Sequence, residues 1–91
     1  MNHTELTAKT TIQDIEVKQD KNFNPYFKLS LRGFPNCFYA FSYNLSVETL
    51  RTLKENPEKL INQLALIAYE ELEHKDKNGT FFKVKEIEIV Y

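Results

Sequence analysis

The side chains most able to do chemistry, histidine and cysteine, are few and scattered in this 91-residue chain. Its two histidines, His3 and His74, fall in a predicted N-terminal tail and a predicted hairpin loop, and no group of Cys, His, Asp and Glu has the spacing of metal ligands. Cys37 stands among aromatic residues of a predicted strand, where a packing thiol is expected rather than a nucleophile. Glycine-rich phosphate loops and nucleophile elbows are also missing from the sequence. We therefore predict no catalytic residue, no metal site and no cofactor.

Aromatic and basic residues around two predicted strands form the one group suited to binding a ligand. Apolar residues alternate from Phe27 to Leu31, so the residues between and beside them lie on the outer face of that strand. Those outer residues include Tyr26, Lys28 and Arg32. Single-stranded nucleic acid is bound by rings on which bases stack, flanked by Lys or Arg side chains that contact phosphates. The pattern has both kinds of residue.

The following strand leaves open which of its two faces is exposed. One parity comprises Tyr39, Phe41 and Tyr43, and the other comprises Phe38 and Ala40. Inward-facing Phe38 and Ala40 would alternate large and small side chains, as the interior of a small barrel does, whereas three inward rings would overfill it. We therefore expect Tyr39 and Tyr43 to be exposed.

Composition bounds the class of protein. Twelve Lys and Arg against thirteen Asp and Glu give a net charge of −1, which lacks the basic excess of duplex-binding proteins. Residues 1–45 carry five basic and four acidic side chains (+1), whereas residues 46–91 carry seven and nine (−2). A chain with 42% hydrophobic residues and this length suits one domain with one core. Any binding of nucleic acid must therefore involve a local patch of basic residues.

Hydrophobic periodicity predicts five strands and one helix. The predicted strands cover residues 7–18, 26–32, 37–43, 63–72 and 80–91. Alternation slips by one residue at Gln13 and Asp14, which predicts a β-bulge, and it slips again in the last strand. A short helix follows the N-cap candidate Ser46 and ends before Pro57. For residues 57–72 we favour a helical turn and then a strand over one continuous helix.

The order β-β-β-α-β-β, with bent first and last strands and the helix between strands three and four, resembles the OB-fold. The resemblance covers about residues 7–91, leaves 1–6 as a frayed or disordered N-terminus, and implies a small five-stranded Greek-key barrel. The alternative is an α+β sheet with one helix packed on it.

The resemblance also implies a binding surface. In OB-folds that bind nucleic acid, the site is the outer face of strands two and three, framed by the first and fourth interstrand loops. This implies a non-enzymatic module that binds single-stranded DNA or RNA weakly and with little sequence preference. The residues predicted to bind are Lys21, Phe23, Tyr26, Lys28, Arg32, Tyr39, Tyr43, Lys75 and Lys77.

A second hypothesis uses the same residues differently. Tyrosine and arginine also anchor protein interfaces, so the chain could be a protein-interaction or accessory subunit, as a monomer or a homodimer. No secretory signal and no apolar run of about 20 residues is present, which predicts a cytoplasmic protein without a membrane partner.

Overall fold

The computed structural model describes residues 5–73 and 79–90, and these residues form a mainly β fold with one α-helix. The strands are β1 (Glu5–Gln19), β2 (Pro25–Leu31), β3 (Phe38–Phe41), β4 (Leu64–Glu73) and β5 (Thr80–Ile89). The helix is α1 (Val47–Glu55), and two short 3-10 helices cover Ser42–Asn44 and Pro57–Lys59.

The five strands close into a barrel in the order β1-β2-β3-β5-β4. Closure depends on β1, which pairs with β2 over residues 12–19 and with β4 over residues 5–11. Neighbouring strands are antiparallel except β3 and β5, which run parallel. The predicted five-stranded OB-like barrel is confirmed, and the alternative of an open α+β sheet is wrong.

The long first strand bends where the sequence predicted. The register between β1 and β2 shifts between Ile12 and Asp14, so the predicted bulge is confirmed. The strand begins at Glu5, two residues before the predicted start of the domain, because Glu5 and Leu6 pair with Glu70 and Tyr69 of β4. A frayed end therefore does not describe residues 5 and 6, and residues 1–4 lie outside the described residues.

The last strand also carries an extra residue. Ala68 pairs with Glu86 and Tyr69 pairs with Val84, which leaves Lys85 as the bulged residue between them. The bulge lets both Val84 and Ile87 point into the core although three positions separate them. The predicted slip of phase in this strand is thereby explained.

The core fills the barrel and takes the predicted face of β3. Phe38 and Ala40 are buried, as expected. The largest fully buried side chains are Phe27, Phe38, Ile12, Leu29, Leu31, Leu53, Ile67 and Val84. The strand itself is shorter than predicted, because the chain turns into a 3-10 helix at Ser42.

Helix α1 connects β3 to β4 and begins at a capped N-terminus. The Ser46 hydroxyl accepts a hydrogen bond from the backbone N–H of Thr49, as the predicted N-cap requires. After Asn56 the chain makes a 3-10 helix at Pro57 and then enters β4 at Leu64, so the alternative of one helix over residues 57–72 is wrong. Among the described residues, no helix is long and apolar enough to cross a membrane.

Candidate nucleic-acid interface

Five aromatic rings lie in contact on the outer surface of β2, β3 and β5 and of the 3-10 helix after β3. We term them the aromatic row, and its members are Tyr26, Tyr39, Phe41, Tyr43 and Phe81. Strand alternation places Tyr26, Tyr39 and Phe41 there, because the residues next to them in β2 and β3 face the core. Tyr26 and Phe41 are direct partners across β2 and β3.

The rings follow one another at contact distance. Ring centroids are 5.8 Å apart for Tyr43 and Phe41, 5.7 Å for Phe41 and Tyr26, and 6.4 Å for Tyr26 and Tyr39. Phe81 follows at 6.4 Å from Tyr39. These separations are typical of interacting aromatic pairs. The row is therefore one continuous apolar surface rather than a set of separate rings.

Four rings of the row form an open depression of about 370 Å³, lined by Tyr26, Tyr39, Phe41, Phe81 and Asp20. Exposure differs along the row. Tyr43 is 74% exposed, as expected. Tyr39 is less exposed than expected. It is half-buried, because the rings of Tyr26 and Phe81 contact it. The expectation that both tyrosines are widely exposed therefore holds for Tyr43 alone.

Two lysines flank the centre of the row. Lys28 on β2 and Lys83 on β5 are both register partners of Tyr39, one on each neighbouring strand. The Nζ atom of Lys83 also lies 5.2 Å from the centroid of the Tyr43 ring, which is cation–π distance. Lys18 is the register partner of Tyr26, but its Nζ lies 3.4 Å from a carboxylate oxygen of Glu16. Lys28 and Lys83 thus lie beside Tyr39, and each has an acidic residue as its other register partner, Glu16 for Lys28 and Glu70 for Lys83.

The loop between β1 and β2 is held by Asp20 at the edge of the depression. Its Oδ1 atom accepts hydrogen bonds from the backbone N–H groups of Asn22 (2.8 Å) and Asn24 (2.9 Å). These two hydrogen bonds lower the pKa of the Asp20 carboxyl below its usual value, and the bond from Asn24 has the larger effect. Phe23 has a φ of 64° and is 78% exposed. The loop presents this ring to solvent in a conformation that non-glycine residues rarely adopt.

The structure brings most of the predicted site residues together. Tyr26, Lys28, Tyr39 and Tyr43 lie on or beside the aromatic row. Lys21 and Phe23 belong to the loop that Asp20 organises, and both are exposed. That loop contributes Asp20 to the lining of the depression, so its other residues are near the depression.

Arg32 lies toward one side of this surface and stays a prediction from the sequence. It follows the end of β2, four residues after Lys28, which is the register partner of Tyr39, and this separation corresponds to about 13 Å of extended strand. Alternation correctly places it on the outer face but does not limit how far along the strand it lies. Lys75 and Lys77 lie outside the described residues.

Sequence reasoning missed three residues of the surface. Phe41 shares the parity of Tyr39 in β3, so the same alternation indicates that it faces outward. Phe81 and Lys83 come from β5, whose parallel pairing with β3 brings them beside Tyr39. Phe82 packs inward and stacks on Phe38 at 4.8 Å, so alternation along β5 places its neighbours Phe81 and Lys83 outward.

A closed five-stranded barrel with this strand order and with its helix between β3 and β4 is an OB-like fold. Crystal structures of the mitochondrial single-stranded DNA-binding protein Rim1 of S. cerevisiae share this fold. The form 2 structure has a TM-score of 0.73 and 14% sequence identity, over 99% of this chain and 96% of that one. The form 1 structure has the same score and identity, over 98% and 97%. No protein-family model and no curated protein sequence matches the chain.

Proposed function

We propose that this protein is a non-enzymatic module that binds single-stranded DNA or RNA on the aromatic row, weakly and with little sequence preference. The observation that carries the proposal is the continuous row with Lys28 and Lys83 on either side of Tyr39. The similarity in fold to single-stranded DNA-binding proteins supports it. A cytoplasmic location stays a prediction from the sequence.

The rings would supply most of the affinity. Base stacking on an aromatic side chain contributes about 1–3 kcal/mol per base and depends little on which base is stacked. Lys28 and Lys83 would contact the phosphates between stacked bases. Lys21 and Phe23 would extend the surface along the loop, and we place Lys75 and Lys77 in the proposal from the sequence alone.

The charge distribution explains why binding should be weak. The net charge is −1, Lys18 is paired with Glu16, and the acidic residue Asp20 is one of those that line the depression. With about two to four phosphates neutralised, the logarithm of the affinity should fall with the logarithm of salt concentration with a slope of roughly −1.5 to −3. Strongly basic single-strand binders would show a steeper slope.

Fluorescence anisotropy with labelled oligonucleotides tests the proposal. Single strands of about 8–30 nucleotides at low salt should bind with dissociation constants of about 1–100 µM, the range of electrostatic and stacking contacts without base readout. A duplex of the same length should bind less well, because its bases cannot reach the rings. Lack of binding to any single strand at about 100 µM protein would overturn the proposal.

Two lysine variants separate a local site from general charge. Lys83→Ala removes the cation beside Tyr39 and Tyr43, whereas Lys54→Ala removes the same charge from the exposed face of α1. We expect the first to weaken binding by about threefold to tenfold and the second by less than twofold. Equal losses would show that net charge and not this surface governs affinity.

The apolar lining of the depression favours a second candidate, a protein partner. Four of its five lining residues are aromatic, and aromatic side chains anchor protein interfaces. Light scattering after size-exclusion chromatography would detect a homodimer. A pull-down from nuclease-treated extract would detect other partners. Partners that disappear on nuclease treatment would count against this candidate and for the first.

A further inference from the structure

One feature of the depression does not fit a purely phosphate-directed, sequence-tolerant site. Among the described residues, Asp20 is the one charged residue that lines it. A carboxylate repels phosphates, so a nucleic acid on the row must turn another group toward this position. The remaining lining groups are rings on which a base can stack, and a base stacked there would turn an edge toward Asp20.

The Asp20 carboxylate is held in place yet keeps acceptor capacity. Its Oδ1 atom accepts the two loop N–H groups, which fixes its orientation. Its Oδ2 atom has one long contact, 3.5 Å from Nδ2 of Asn24. The loop bonds also lower the pKa of Asp20, so at neutral pH the group is an ionised acceptor without a proton to donate.

The four bases differ in what they offer to such an acceptor. The Watson–Crick edge of guanine has two adjacent donors, N1–H and the 2-amino group, and both can donate to the Oδ2 atom, which the loop leaves largely open. Thymine and uracil offer one N–H between two carbonyl oxygens, and both oxygens face the carboxylate unfavourably. Cytosine and adenine offer one amino group next to a ring-nitrogen acceptor. A fixed carboxylate therefore favours guanine most and thymine or uracil least.

We propose that Asp20 is a specificity-determining residue that favours guanine over thymine or uracil at the base stacked in the depression. The inference rests on the proposed function. It means that bases at the other positions along the row are still bound with little preference.

Three oligonucleotides of equal length test it by anisotropy: one all thymine, one with a single central guanine, and one with a single central inosine, which lacks the 2-amino group. The guanine strand should bind about fivefold more tightly than the all-thymine strand, because only guanine offers Oδ2 two adjacent donors. The inosine strand should fall between them, because it keeps one of the two donors. A single guanine avoids structures that guanine runs form.

Matched variants assign the preference to this carboxylate. Asp20→Asn keeps an Oδ1 acceptor for the loop and Asp20→Ser offers a hydroxyl for the same bonds, so both preserve the turn. Either should reduce the preference for guanine to less than about twofold without weakening the all-thymine complex. Asp14→Asn removes the same charge from an exposed position on β1 and should keep the fivefold preference.

The outcomes distinguish this inference from the function on which it rests. Equal binding of the three strands by the unaltered protein, or a preference that survives both Asp20 variants, overturns the inference and leaves the proposed function standing. Absence of binding to all three strands overturns both.

Discussion

Phe38 and Tyr43 are aromatic residues five positions apart whose environments are opposite. Phe38 is fully buried, and its ring contacts Phe34, Tyr69 and Phe82 at centroid distances of 4.8–5.3 Å. Phe38→Ala should therefore lower the free energy of unfolding by about 3–5 kcal/mol through the cavity it leaves. Tyr43→Ala should change it by less than about 0.5 kcal/mol, because the ring is largely exposed. Urea melts measure both, and equal losses would place Tyr43 in the core.

Asp20 makes the stability of the loop between β1 and β2 depend on pH. Because loop hydrogen bonds lower its folded-state pKa, the stabilisation of the loop is present above the unfolded value of 3.8 and is lost as pH falls through the lower folded value. The amide proton shifts of Asn22 and Asn24 should therefore titrate together with a midpoint below 3.8. An NMR pH titration checks this. A midpoint at or above that value would mean that the two backbone bonds are not formed in solution.

At the scale of elements, the stability of helix α1 depends on its N-cap residue, Ser46. The Ser46 hydroxyl accepts from Thr49 N–H, and the carboxylate of Glu86 in turn accepts from the Thr49 hydroxyl, which ties the start of the helix to β5. Ser46→Ala should cost about 1 kcal/mol of stability, the usual value of an N-cap. Ser46→Asn should recover most of it, because asparagine also caps. Thermal melts that do not distinguish the two variants would contradict this role.

The elements show how far sequence reasoning reaches. Alternation from Phe27 to Leu31 correctly predicts which face of β2 is buried, and the slip at Gln13 correctly predicts the bulge in β1. These features are local, so the residue pattern contains them. Alternation does not predict where β3 ends. Tyr43 continues the alternation of aromatic residues, yet it lies in the 3-10 helix Ser42–Asn44. Which strands become neighbours is likewise set by the whole barrel.

At the scale of the molecule, barrel closure completes the candidate site. Periodicity places Tyr26 and Lys28 on one face, and the packing volume of the barrel adds Tyr39, but Phe81 and Lys83 reach them only because β5 pairs with β3. That pairing joins segments about forty residues apart in sequence and leaves no local signal. Alternation therefore predicts which residues of a single strand face outward, but it does not predict which strands lie side by side to form the site.

The most direct test of the proposed function is a titration of the ¹⁵N-labelled protein with a short single-stranded oligonucleotide, followed residue by residue in two-dimensional NMR spectra. We predict that the largest amide shifts map to the aromatic row and its flanking lysines on β2, β3 and β5, with little change on the exposed face of α1. Shifts centred on α1, or no shifts at oligonucleotide concentrations of about 1 mM, would contradict it.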